Sequence, residues 1–290
     1  MMIKSLSQII LFVLILTDIV ILNVASCTGG DEISISAPLY TDSAGLVGQK
    51  AAATIFRIVC VKQGRMGTGF LHKSGSILTA AHVVANCEAN DVMIVLPQGT
   101  NIPIKNIISD EDNDIASLTP TEKVSGDSLP ITNNNNVKIG TQVSTWGFPS
   151  GYTGRFPMLS VGYLSGLDAV KTPSGKIVRR LVVNAAFNSG NSGGPLIDIE
   201  SGTVIGIVSG KLAPIPPDIE KALEVLRNVE IGVGWDFTKP DGTKGKISQS
   251  QLLEKILQYM RSQTQLVVGR AVLPDQLREF LKANGLDKEM

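Results

Sequence analysis

Residues 188–196 read NSGNSGGPL, which places Ser192 between closely spaced glycines. Glycine permits sharp backbone turns and close approach of other groups to the main chain. Several backbone N–H groups can therefore converge beside Ser192, which is the arrangement that stabilises a developing oxyanion. By itself, the stretch also fits a glycine-rich loop whose exposed serine has no catalytic role. Motifs elsewhere in the chain are needed to distinguish these two interpretations.

The order of residues along the chain excludes one common serine-based arrangement. Gly190, Ser192 and Gly194 satisfy the Gly-x-Ser-x-Gly pattern of α/β-hydrolases, whose histidine follows the serine in sequence. The two histidines of this chain, His72 and His82, both precede Ser192. The order histidine, acid, serine remains open.

Three further motifs fit that order. Residues 77–84 read ILTAAHVV, residues 113–118 read NDIASL, and residues 67–70 read GTGF. Together with the serine loop they resemble the trypsin-like serine peptidases, most closely the Deg (high-temperature-requirement) branch, over residues 53–260. The resemblance implies an all-β, chymotrypsin-like fold of two six-stranded antiparallel barrels, with α-helices late in the chain.

The resemblance also implies a catalytic role for three residues. Ser192 is the expected nucleophile, His82 the base that accepts its proton, and Asp114 the acid that orients the imidazole. Asp110 and Asp112 are alternative acids. Asp114 is preferred because apolar residues follow it directly and would seat it at a buried edge.

Backbone N–H groups of Gly190 and Ser192 form the oxyanion hole by the same resemblance. Asn191 stands where digestive trypsins have an aspartate that pairs with a newly freed N-terminus, so activation by that route is not expected. The substrate pocket is expected to be small and apolar, with Lys211 at its edge. We therefore expect cleavage after small or aliphatic residues. The expected pocket residues are Ala186, Phe187, Ser209 and Gly210.

A non-catalytic pseudopeptidase that binds peptides or proteins is the alternative function. No cofactor is expected. A zinc site built from Cys60, His72, His82 and Cys87 fails because their spacing lacks a close ligand pair. His72 is expected to be a surface strand residue.

The first residues of the chain are typical of an export signal. Lys4 precedes an apolar run at 9–22, and small residues follow it. Asp18 would be costly in a transmembrane anchor, which is the alternative. Residues 24–27, VASC, resemble the lipobox of bacterial lipoproteins, which implies lipid on Cys27 and a membrane-anchored protein of the bacterial cell envelope. A plain secretory signal would instead leave a periplasmic or secreted protein.

Two cysteines remain once Cys27 is set aside. An exported chain meets an oxidising compartment, so a disulfide between Cys60 and Cys87 is predicted. Two unpaired, buried cysteines that pack as small hydrophobes are the alternative.

Charge and composition limit the possible partners. Lys plus Arg and Asp plus Glu both number 26, and the isoelectric point is about 6.7. A neutral chain lacks the basic surface that nucleic acid requires, and 5% aromatic residues exclude broad base-stacking surfaces. Polypeptide substrates and a membrane reached through lipid are the expected partners. The apolar export signal accounts for part of the mean hydropathy of +0.19.

The chain divides into an expected signal peptide (1–26), a tether (27–50), a peptidase domain (51–262) and a C-terminal helical tail (263–290). Too few residues follow the domain for the peptide-binding PDZ module that Deg peptidases usually carry, which puts trimer assembly through it in doubt. Helices are predicted at 218–229, 250–261 and 274–284, with their apolar stripes facing the core and the first helix near the substrate pocket. Alternation and turn signals predict short strands at 56–61, 68–72, 76–78, 91–96, 116–118, 142–147, 178–184, 196–198 and 204–209.

Overall fold

The computed structural model describes residues 45–172, 174–211, 217–238, 243–263 and 268–287. The predicted signal peptide, Cys27 and the tether up to residue 44 lie outside the described residues. Helix α1 (Gly45–Thr54) contains residues 45–50, and Ala51 within it is fully buried. The last six residues assigned to the tether, 45–50, are therefore helical.

Six antiparallel strands close the first barrel in the order β1-β2-β3-β6-β5-β4. Side chains alternate between the two faces of a strand, so Phe56, Ile58 and Cys60 of β1 all point into one apolar core. The strands are β1 (Ile55–Cys60), β2 (Arg65–Leu71), β3 (Ile77–Thr79), β4 (Val92–Val95), β5 (Asn101–Asp110) and β6 (Ile115–Pro120).

The second barrel closes in the order β10-β11-β14-β9-β8-β7, again with antiparallel neighbours. The prediction of two six-stranded antiparallel barrels is confirmed. The strands are β7 (Gln142–Gly147), β8 (Met158–Lys171), β9 (Ile177–Asn184), β10 (Pro195–Asp198), β11 (Val204–Lys211) and β14 (Gly269–Ala271).

Strand β14 corrects the predicted C-terminal boundary. It pairs with both β11 and β9 and so completes the second barrel, although it lies within the segment 263–290 that was expected to be a separate tail. Helix α4 (Pro274–Ala283) follows it and buries Leu277, Phe280 and Leu281 in the core between the barrels. Strand β14 and helix α4 are therefore part of the two-barrel fold.

An insertion between β11 and β14 consists of helix α2 (Pro217–Asn228), strands β12 (Gly234–Thr238) and β13 (Lys244–Ser248), and helix α3 (Gln249–Gln263). Leu223 and Glu254 are buried within it. The prediction that the apolar stripes of α2 and α3 face the core is wrong, because most residues of the two stripes are exposed to solvent. The exposed apolar residues include Ile219, Val229, Leu253, Leu257 and Met260. No helix in the described ranges is long and apolar enough to span a membrane.

The structure also tests the predictions for the cysteine pair and for His72. A disulfide joins Cys60, at the end of β1, to Cys87, as predicted. His72 is only 4% exposed, which corrects its assignment to the surface. Burial, together with the neighbouring charge of Lys73, lowers the pKa of His72 to about 4.

Candidate active site

His82 and Asp114 lie side by side at the edge of the first barrel. His82 occupies a short 3₁₀ turn (Ala81–Val83) after β3, and Asp114 ends the turn before β6. The His82 Nδ1 atom lies 2.9 Å from Asp114 Oδ1 and 3.0 Å from Oδ2. The backbone N–H of His82 donates to Asp114 Oδ1 as well, at 3.0 Å. The carboxylate therefore fixes both the ring and the main chain of the histidine.

The turn before β6 separates the three candidate acids. Asp110 Oδ1 and Oδ2 accept from the backbone and side-chain N–H groups of Asn113, at 2.9 and 2.8 Å, and so close the turn. Asp112 Oδ1 accepts from Ser174 Oγ at 2.6 Å. Of the three, Asp114 is the one that contacts His82. It has a positive φ of 57°, a strained backbone conformation for a residue other than glycine.

Asp114 is largely buried, yet its surroundings favour the carboxylate. Burial by itself would raise the pKa of its carboxyl group. Hydrogen bonds from His82 and Ser209, and the charge of His82, favour the carboxylate and hold the pKa below its usual range. The Asp114 side chain is 14% exposed and the His82 side chain 50%, so the histidine faces solvent while the acid does not.

Ser192 enters the site from the second barrel. Its hydroxyl donates to the carbonyl oxygen of Ser209 at 3.3 Å. Among the described residues, no hydrogen bond joins Ser192 to His82. The hydroxyl of the same Ser209 donates to Asp114 Oδ2, so Ser209 contacts both the acid and the serine.

The serine loop has the shape that its glycines allow. Gly190 and Gly193 have φ of 95° and 88°, and a Cβ at Gly190 would lie 2.2 Å from the carbonyl oxygen of Phe148. Within the described chain, the backbone N–H groups of Gly190 and Ser192 donate no hydrogen bond. The N–H of Asn191 between them donates to Asn188 O at 3.0 Å. Two unused donors therefore remain beside Ser192.

Thr68 of β2 joins the serine loop to the first barrel. Its backbone N–H donates to Ser192 O at 2.8 Å, and its hydroxyl donates to Gly190 O at 2.6 Å. The same hydroxyl accepts from the N–H of Phe148 at 3.1 Å. Thr68 is fully buried, so these bonds lack competition from water. The motif GTGF contains Thr68, but the sequence alone does not indicate that Thr68 has this role.

The four expected pocket residues do not share one environment. Phe187 is 1% exposed in the core of the second barrel, where its ring packs directly against Gly269. The Ser209 hydroxyl donates a hydrogen bond to Asp114. Ala186 is half-buried and Gly210 faces open space. The side chain of Lys211 lies outside the described residues.

The sequence matches the profile of the trypsin-like peptidase domain over residues 67–207, which contain His82, Asp114 and Ser192. Residues 67–207 of this chain are therefore similar to a trypsin-like peptidase domain. The chain is 30% identical over 233 residues to protease Do-like 1, chloroplastic, of Arabidopsis thaliana, covering 78% of this chain and 46% of that protein. It is 36% identical over 187 residues to a probable periplasmic serine endoprotease DegP-like of Hahella chejuensis, covering 58% and 37%. The chain thus spans less than half the length of these relatives.

Solved structures share the fold of the peptidase. The Rv3671c protease from M. tuberculosis in its active form superposes with a TM-score of 0.55 and 17% identity, over 92% of this chain and 97% of that one. An HtrA-type protease solved with a tripeptide gives a TM-score of 0.53 and 18% identity, over 87% and 64%. At these identities the likeness concerns the fold alone.

Proposed function

We propose that this peptidase is a serine endopeptidase that hydrolyses peptide bonds through an acyl-enzyme intermediate on Ser192. The observation that carries the proposal is the meeting of three residues from separate motifs. His82 is bonded to Asp114, and Ser209 contacts both Asp114 and Ser192. A serine hydroxyl is a weak nucleophile until a neighbouring base accepts its proton.

The chemistry follows from which atoms are already engaged. Asp114 occupies His82 Nδ1, so His82 Nε2 is the nitrogen that accepts the Ser192 proton. The Ser192 hydroxyl turns from Ser209 O towards His82 and attacks the substrate carbonyl. The free N–H groups of Gly190 and Ser192 receive the resulting oxyanion. His82 then donates its proton to the leaving amine, and water releases the acyl group by the same route.

A labelling experiment tests this activity. A fluorophosphonate probe should label the wild-type protein and Ser189→Ala, a matched control in the same loop, but not Ser192→Ala or His82→Ala. A wild-type protein with a folded circular dichroism spectrum and no labelling would overturn the proposal and favour the pseudopeptidase.

The proposed specificity is for small or aliphatic residues on the amino side of the cleaved bond. Ala186 leaves room without adding charge, and Gly210 adds no side chain to the open space beside it. A peptide library should therefore give a profile led by Val, Ala and Leu at that position. A profile dominated by acidic residues would contradict this specificity and leave the catalytic proposal intact.

The proposed location is the bacterial cell envelope, with a lipid anchor on Cys27. The lipobox-like residues 24–27 support it, the Cys60–Cys87 disulfide fits an oxidising compartment, and the Hahella relative is named periplasmic. In cells fed labelled palmitate, the wild-type protein should carry label and sediment with membranes. Cys27→Ala should lose both properties, and an unlabelled wild-type protein would overturn the anchor.

A further inference from the structure

Arg180 is a buried cation on β9 that the proposed mechanism does not use. Its side chain is 5% exposed, although arginine is seldom fully buried unless it is paired. No carboxylate of the described chain forms an ion pair with it within 4.0 Å. Its partners are uncharged oxygens in three different elements, so the position of this charge needs an explanation.

The guanidinium joins the turn that carries Asp114 to the second barrel and to α4. Its Nη2 donates to the carbonyl oxygen of Asp112 at 2.9 Å, two residues before Asp114. Its Nη1 donates to Gln276 Oε1 in the first turn of α4 at 3.2 Å, and to Arg179 O at 3.0 Å. The planar fork of arginine suits such simultaneous contacts, which lysine cannot reproduce.

Two acidic residues, one of them the acid of the proposed triad, interact electrostatically with Arg180. Asp114 and Asp110 attract the guanidinium, and Arg270 on β14 opposes it. Arg270 is itself held by Asp168 Oδ2, with its Nε at 2.8 Å. Asp112 is turned outward, where its carboxylate accepts from Ser174. Arg180 is therefore a buried positive charge that interacts electrostatically with Asp114 and Asp110 and is hydrogen-bonded to the turn between them.

We propose that Arg180 is a positioning residue for the triad, holding the turn that presents Asp114 to His82 and linking that turn through Gln276 to helix α4. Asp114 has a strained φ of 57°, and such a conformation persists only where surrounding contacts fix it. The Asp110–Asn113 bonds fix the turn from within, and Arg180 fixes it from the second barrel. The inference rests on the proposed function, because the position of Asp114 matters only where His82 acts as a base.

Steady-state kinetics over a range of pH test the proposal with three variants. In Arg180→Gln, kcat should fall about tenfold or more while KM stays within about twofold, because the chemical step is affected and substrate contacts are not. The acid limb of the pH profile should also move to higher pH, because a positive charge that interacts with the Asp114 carboxylate has been removed. Arg180→Lys keeps the charge but not the fork, so kcat should fall and the acid limb should stay in place.

Arg179→Gln is the matched control. Arg179 is the neighbouring residue, and its Nη2 lies 3.2 Å from Asp275 Oδ2 in the same helix turn, but it does not contact the Asp114 turn. Its kcat and acid limb should equal those of the wild type within about twofold. A change of the same size in both variants would show a general effect of loosening α4 and would overturn the positioning role.

Other outcomes are equally decisive. Arg180→Gln with wild-type kcat and an unmoved acid limb would overturn the proposal. If Arg180→Gln does not fold, Arg180→Lys decides, because a folded lysine variant with wild-type kcat would also overturn it. Failure of the wild-type protein to react with a fluorophosphonate would instead refute the proposed function, so the two failures are distinguishable.

Discussion

The two halves of the candidate site are built in different ways. In the first barrel, side-chain hydrogen bonds lock His82 to Asp114, and Ser209 adds a further bond to the acid. In the second barrel, glycine backbone geometry shapes the loop of Ser192, whose hydroxyl turns to a carbonyl of its own barrel. Hydrogen bonds already join His82 to Asp114, whereas Ser192 has no hydrogen bond to either residue in the described part of the chain. The two halves should therefore respond differently to substitution.

The largest effect is expected in the serine half, from Gly193→Ala. A Cβ there would lie 2.1 Å from both Thr68 O and Thr79 Oγ1, at a φ of 88° that alanine rarely adopts. Distortion of the loop should lower kcat/KM at least about 100-fold by misplacing the oxyanion donors. Gly166→Ala in β8 is the control, since the nearest atom to a Cβ there lies 4.0 Å away. Wild-type kcat/KM in Gly193→Ala would contradict the role given to the glycine backbone.

A smaller effect is expected in the acid half, from Ser209→Ala. Loss of its hydrogen bond should raise the pKa of Asp114, because that bond favours the carboxylate. We expect kcat to fall about tenfold and the acid limb of activity to move to higher pH. Kinetics over a range of pH measure both, with Ser201→Ala on the exposed turn before β11 as control. An acid limb that stays in place would show that Ser209 does not tune the acid.

Thr68→Val tests the contact between the halves. The substitution keeps the shape but leaves Gly190 O and the N–H of Phe148 without their buried partner. Denaturant titration should show a loss of roughly 1–3 kcal/mol in the free energy of unfolding, with a several-fold drop in kcat. Thr68→Ser, which retains the hydroxyl, should recover most of both. Equal free energies of unfolding in the valine and serine variants would contradict the stabilising role of the Thr68 hydroxyl.

The smallest effect on activity is expected at His72, which lies outside the site. Its pKa of about 4 in the fold is below that of an unfolded histidine, so the unfolded chain takes up a proton first as the pH falls. Stability linked to His72 is present above about pH 6.5 and is lost progressively as the pH falls towards 4. Between pH 7 and 5 the loss should be on the order of 1–2 kcal/mol in the wild type, and His72→Gln should remove that component. Urea titrations measure the free energy of unfolding at each pH. If its pH dependence were the same in His72→Gln as in the wild type, this role of His72 would be contradicted.

Sequence reasoning predicted well where a pattern depends on one strand or one motif. The apolar runs of β1, β7 and β11 identified these strands, because most of their residues are buried in the barrels. It missed β14, which is three residues long, and β8, whose apolar residues Leu159, Val161 and Tyr163 face outward and are exposed. Such strands are defined by their neighbours in the barrel, which a sequence does not display.

The helices show the same limit. The apolar stripes of α2 and α4 are alike in sequence, yet α4 buries Phe280 between the barrels while Ile219 of α2 is 49% exposed. Periodicity predicts an apolar face and does not say whether another layer covers it. Motifs likewise identified Ser192 and His82, whereas the contacts of Ser209, Thr68 and Arg180 arise only when distant segments meet.

The central claim is that Ser192 becomes acylated with His82 as its base. Rapid mixing with an activated ester of an N-blocked valine, followed by intact-mass analysis and peptide mapping, measures this directly. We expect a burst of released alcohol close to one equivalent per wild-type protein, and we expect the acyl group on the peptide that contains Ser192. It predicts no burst in Ser192→Ala or His82→Ala. A folded wild-type protein with no burst, or with the acyl group on another residue, would contradict the account.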